Sequence, residues 1–179
     1  MVALRGARDR ADLLPDRRQS DNYAASGKIS SDRENANLPS RDTHETGLIM
    51  AMTIYDFAGK HEASSVPELE NVLQKRYGSG RNGFWISHGK EIHPCMSLLV
   101  NGELSTVLYL PEEDHPGFAS VGRIDGLDRI GFTTFSYDTL KQEQEFINSQ
   151  VIPFASALLA AKDFLAMKAL PKSIEWDEL

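Results

Sequence analysis

The chain has 179 residues, a quarter of them charged, a formal net charge of −7 and a single cysteine, Cys95. That length holds one domain, or one domain with an appendage. One cysteine excludes an internal disulfide and a cysteine-rich zinc site. No run approaches the 18 or so apolar residues of a membrane helix, and the N-terminus lacks the apolar segment of a secretory signal. The expectation is a cytoplasmic protein without a membrane partner.

Charge and aromatic content divide the chain at the same place. Residues 1–50 hold eight Lys/Arg and eight Asp/Glu, which leaves 11 basic and 18 acidic residues of the 19 and 26 for residues 51–179. Tyr23 is the sole aromatic residue before position 51. The first segment shows no sustained period of 2 or 3.6 and reads as a disordered extension. It also fits a stretch upstream of a true start at Met50 or Met52. Its equal acids and bases argue against a mitochondrial transit peptide. Residues 51–179 read as the folded domain and carry the whole negative charge. Phosphate repels such a domain, so no direct nucleic-acid binding is expected, whereas a basic protein surface attracts it.

The first strand is predicted at 52–57. Ser64 and Ser65 offer cap oxygens for a helix, Pro67 suits its first turn, and Glu68 and Glu70 favour its positive end. Leu69, Val72 and Leu73 form its apolar stripe, and the pattern carries it to about Tyr77–Gly78. A glycine-rich loop and a short strand at 84–88 follow. Asn101-Gly102 between two apolar runs predicts a hairpin with a two-residue turn, pairing Val100 with Glu103, Leu98 with Ser105 and Met96 with Val107. One hairpin face carries Met96, Leu98, Val100, Val107 and Tyr109. The other carries Ser97, Leu99, Leu104, Thr106 and Leu108, so both faces should be covered, as for central strands.

Further strands are predicted at 118–121 and 130–137, with a turn at Asp125-Gly126-Leu127-Asp128 between them, and a weaker one at 145–152. Pro153 opens a second helix with Phe154, Ala157, Leu158, Ala161, Phe164 and Leu165 on one stripe, and Pro171 ends it. Ile174 and Trp176 then alternate with Glu175 and Asp177, as in a last strand with an apolar inner and an acidic outer face. The order predicts an α+β fold: a mainly antiparallel sheet of about five to seven strands with two helices packed on it.

The chain carries few signs of catalysis. It has no phosphate-binding loop, no dinucleotide glycine pattern and no nucleophile elbow. His88 and His93 lie five apart, outside the spacing of a helical metal pair, and read as two polar loop or edge histidines. Glu112, Glu113 and Asp114 lack the alternate spacing of a calcium loop. They read as a solvated acidic loop or a contact for a basic partner. An enzyme would have to draw on His115, Asp114 and Glu112 or Glu113, yet adjacent residues rarely orient as a base and its partner. No catalytic residue, metal or cofactor is assigned.

The most distinctive segment is Pro111-Glu-Glu-Asp-His115-Pro-Gly-Phe-Ala-Ser120-Val-Gly122, with the terminal Leu170-Pro-Lys-Ser-Ile-Glu-Trp176. With these two motifs in this order, residues 52–179 resemble the Imm-one family of bacterial immunity proteins from polymorphic toxin systems. The resemblance implies a non-catalytic antitoxin that binds a cognate toxin domain, often a nucleic-acid deaminase, and blocks its active site. It implies a toxin encoded by an adjacent gene and a monomer when free. Toxin-facing candidates are Glu112, Glu113, Asp114, His115, Asp125, Asp128, Glu175 and Asp177. Pro116, Gly117, Phe118, Gly122 and Trp176 are expected to serve the fold. A small α+β ligand-binding or scaffold module without catalysis is the alternative.

Overall fold

The computed structural model describes residues 51–179. The extension expected at 1–50 lies outside the described residues. Among these, ten strands and two helices follow as β1 (Met52–Asp56), β2 (Gly59–Ala63), α1 (Val66–Leu73), β3 (Arg81–His88), β4 (Cys95–Asn101), β5 (Leu104–Leu110), β6 (Phe118–Val121), β7 (Phe132–Ser136), β8 (Glu143–Ile147), β9 (Val151–Pro153), α2 (Phe154–Met167) and β10 (Glu175–Glu178). The main sheet runs β10-β6-β5-β4-β3-β1-β2, and β9 adds to β5. β7 and β8 form a separate hairpin, and every pairing is antiparallel. The fold is α+β with seven strands in continuous order, as the pattern predicts.

Both helices lie on one face of the sheet. Leu69 and Leu73 of α1, and Ala157, Ala161, Phe164 and Leu165 of α2, pack on Phe84, Ile86, Met96, Leu98, Val107 and Tyr109. The capping residues of α1 work as a reciprocal pair. Ser65 Oγ accepts from the Glu68 amide, and Ser64 donates its amide and hydroxyl to Glu68 Oε2 at 2.8 and 2.9 Å. The helix ends at Leu73, short of Tyr77, because Tyr77 and Arg81 exchange backbone hydrogen bonds of 2.8 and 2.9 Å and turn the chain into β3. Helix α2 likewise ends before Pro171, at Met167, where Lys168 takes a left-handed conformation (φ 51°).

The central hairpin is shifted from its expected register. Its turn is Gly102-Glu103, and the pairs are Asn101 with Leu104, Leu98 with Val107 and Met96 with Tyr109. Tertiary bonds hold Asn101 in the strand: its Nδ2 donates to Thr134 O at 2.9 Å, and the Gly102 amide donates to Gly80 O at 3.0 Å. A shift of two positions keeps each side chain on its face, so the expected core face survives.

The opposite face holds a second, smaller core. Leu99, Phe135 and Val151 are buried there, with Leu104, Ile124, Leu127, Tyr137 and Phe146 around them. The β7–β8 hairpin is its lid. Gly83 of β3 has no Cβ because one would sit 2.8 Å from Tyr137 O. The strand expected at 145–152 is broken by a 3-10 turn at Asn148–Gln150, which separates β8 from β9.

Candidate partner interface

The acidic loop at 111–117 leads from β5 into β6, and β10 lies beside β6 at the edge of the sheet. Glu112, Glu113 and Asp114 are exposed, and Asp114 turns the chain at φ 66°. His115 is held inside the turn. Its Nδ1 accepts from the Gly117 amide at 2.9 Å, its ring stacks on Phe118 at 5.2 Å, and its Nε2 faces Glu178 Oε1 at 3.7 Å. These contacts place the ring against Phe118 and the C-terminal strand.

The rest of the motif is locked into the fold. Pro116 is exposed, but Gly117 sits at φ 99°, where a Cβ would meet Tyr109 O at 2.9 Å. Phe118 packs on the main core. Buried Ser120 receives the Val107 amide at 3.0 Å and donates to Gln150 O at 2.6 Å, joining β5, β6 and the 3-10 turn. A Cβ on Gly122 would lie 1.8 Å from Val151 O. Trp176 packs with Tyr109 at 6.3 Å and donates its indole N–H to Pro171 O at 2.7 Å. Asp163 of α2 accepts the Lys172 and Ser173 amides, which directs the tail from the helix into β10.

Glu175 and Asp177 point away from that core. Asp177 pairs with Ala119, Ala119 with Leu108 and Leu108 with Ser97, all on the helix-free face of the sheet. Glu175 pairs with Val121, where β6 gives way to the loop carrying Asp125 and Asp128. That loop leads to the hairpin on the same side. The structure therefore sets the acidic candidates at the two ends of β6, with Glu175 and Asp177 alongside. The 112–115 loop lies at one end, and Asp125 and Asp128 lie beyond the other.

The Asp125–Asp128 loop is tightly built. Buried Asn148 donates from Nδ2 to Asp128 O at 2.6 Å, receives the Thr133 hydroxyl at 2.6 Å, and gives its amide to Gly131 O at 2.9 Å. The Asp128 carboxylate accepts the Ile130 amide at 3.2 Å. Beside this clamp, Ile130 is 78% exposed, Phe132 63% and Ile147 37%. Sequence reasoning did not single out these three. The signal was parity: Ile130 and Phe132 occupy even positions of the strand predicted at 130–137, whose Phe135 and Tyr137 occupy odd ones, so one pair had to face outward.

Several polar groups inside the fold are tied up structurally. Asp56, sealed from solvent, accepts from the Ala58 and Gly59 amides, His61 Nε2 (3.0 Å), Tyr77 and Asn82. Burial pushes this carboxyl up, but those hydrogen bonds outweigh it and hold it below the usual range. The group fixes the β1–β2 turn, which the polar 59–63 stretch concealed as a strand. His88 is a core residue and not the polar edge histidine expected. It is 2% exposed and bonded to Phe164 O at 2.9 Å. Cys95 is buried, and burial pushes its thiol up to about 12, so it is no nucleophile at neutral pH. Among the described residues no three His, Cys, Asp or Glu side chains gather as a metal site. Nor is any helix there long and apolar enough to cross a membrane.

Fold and surface together define a small acidic α+β domain with exposed carboxylates along one sheet edge and on its helix-free face. No protein-family model matches the chain. It is 25% identical over 124 residues to a double-stranded DNA deaminase immunity protein of Burkholderia cenocepacia (strain H111), covering 69% of this chain and 97% of that protein. The similarity points to a distant relationship with deaminase immunity proteins, and the relative is an immunity protein, not an enzyme.

Proposed function

We propose that this chain is an immunity protein, which binds a cognate nucleic-acid deaminase toxin, encoded by an adjacent gene, and neutralises it by covering the active site. The observation that carries this reading is the similarity to a deaminase immunity protein across nearly that protein's whole length. The physics runs the same way. A toxin acting on DNA needs a basic cleft. An acidic domain is drawn to such a cleft, and encounter accelerates accordingly. Toxin–immunity pairs of the nuclease colicins reach the ceiling of non-covalent affinity, so occlusion by binding suffices without chemistry.

In this reading residues 51–179 are the toxin-binding unit, acting as a cytoplasmic monomer. Glu112, Glu113, Asp114, Asp125, Asp128, Glu175 and Asp177 supply its acidic contacts, and His115 lies among them. Co-expression with the deaminase domain encoded beside the gene tests the proposal. Restored growth and a one-to-one complex on gel filtration are expected. Continued toxicity with no complex overturns it.

A further inference from the structure

Carboxylates steer a partner but rarely hold it. Exposed charge pairs contribute little, whereas aromatic and aliphatic anchors at the centre of an interface carry most of the binding free energy. The acidic edge offers no such anchor, since Phe118 and Trp176 pack on the core. The β7–β8 hairpin offers one. Ile130 and Phe132 are the two most exposed of the large hydrophobic residues described. Phe132 pairs across the hairpin with Ile147, so their side chains adjoin on its outer face. Phe132 and Ile147 thus expose adjoining apolar surface, and Ile130 lies two residues before Phe132, whereas single scattered apolar residues need no partner.

The patch is also presented rigidly. Asn148, 5% exposed, ties Asp128, Gly131 and Thr133 together, and the Asp128 carboxylate fixes the Ile130 amide. A Cβ on Gly131 would lie 2.9 Å from Asn148 Nδ2, so the clamp closes tightly on the backbone there. Preorganisation of this sort lowers the ordering cost of association. The surroundings select the partner's charge. Glu145 adjoins the pair on the same face through its register with Thr134, and Asp125 and Asp128 flank the loop. Arg123 and Arg129 share that loop, and Glu175 and Asp177 on this side of the sheet restore an acidic balance.

We propose that Ile130, Phe132 and Ile147 form the apolar anchor with which this chain seats in the toxin, inside an acidic rim that matches the basic border of a nucleic-acid-binding cleft. This rests on the function proposed above and places the centre of the interface on the hairpin, with the 112–115 loop at its periphery.

The test uses the full-length chain and the deaminase domain encoded beside its gene, with affinity read by titration calorimetry. Phe132→Ser with Ile147→Ser should weaken binding at least about thirtyfold, a hot-spot effect, while the melting temperature stays unchanged. Leu159→Ser, at a residue 50% exposed on α2 on the opposite side of the sheet, serves as the control and should leave affinity unchanged. Wild-type affinity in the hairpin variant overturns the anchor and leaves the function standing. Equal weakening by Leu159→Ser overturns the location. Loss of self-association with unchanged toxin affinity assigns the patch to a second copy and overturns the proposal. Absence of binding by the wild-type chain overturns the functional reading, and the anchor with it.

Discussion

The β6–β10 edge and the β7–β8 hairpin make opposite use of their residues. The edge carries both sequence motifs, and their small and aromatic residues there are committed to the fold: Gly117 and Gly122 by lack of room, Ser120 by two buried hydrogen bonds, Trp176 by its ring and its N–H, while Glu112, Glu113, Asp114 and Glu175 stay exposed. The hairpin carries no motif, covers a small core with Phe135 and Phe146, and leaves Phe132 and Ile147 outside. A sequence motif can thus record how a scaffold closes.

Substitutions can break this contrast, beginning with the largest effect. Gly122→Ala forces the Val151 carbonyl away from β6 and should abolish cooperative folding, or cost more than about 4 kcal/mol in urea denaturation. A small loss would show that the edge is pliable. Trp176→Ala should cost roughly 3 kcal/mol. Trp176→Phe should keep most of the packing but forfeit the bond to Pro171 O, at about 1 kcal/mol. An unchanged melting temperature would remove the tail from the core.

Charge reversal of Glu112, Glu113 and Asp114 to lysine should spare stability. It should slow association with the toxin several-fold and flatten its salt dependence, with little change in dissociation. A large rise in dissociation rate, measured by surface plasmon resonance, would move the centre of the interface to the edge.

The smallest effect belongs to neither region. Burial depresses the pKa of His88, against the pull of its bond to Phe164 O, so folding favours the neutral ring. The stability this gives is present above the unfolded value of about 6.5 and is lost as pH falls below it. The melting temperature should therefore decline between pH 7 and 5, and His88→Gln should flatten that decline. An unchanged slope would point to other groups.

Much of the scaffold was legible because periodicity reports faces. The α2 stripe, the core face of the central hairpin, and the alternation of Ile174 and Trp176 with acids all follow from parity and the helical repeat. Features set by tertiary bonds were not legible. Asn101 shifts the hairpin turn through its bond to Thr134, and Tyr77 cuts α1 short by pairing with Arg81. Strand β2 is polar and held by the Asp56 turn, and Asn148 interrupts a strand-like run to clamp a distant loop. Of the proposed interface, the acids were visible as charge. Ile130, Phe132 and Ile147 were not, since nothing in a sequence of apolar residues states which parity faces out.

Inhibition by binding is the proposed mode of action. The most direct measurement titrates this chain into the proposed cognate deaminase domain and follows deamination of its nucleic-acid substrate. Activity should fall to zero at one equivalent, in a complex that excludes the substrate. Undiminished deamination with excess chain present would contradict it.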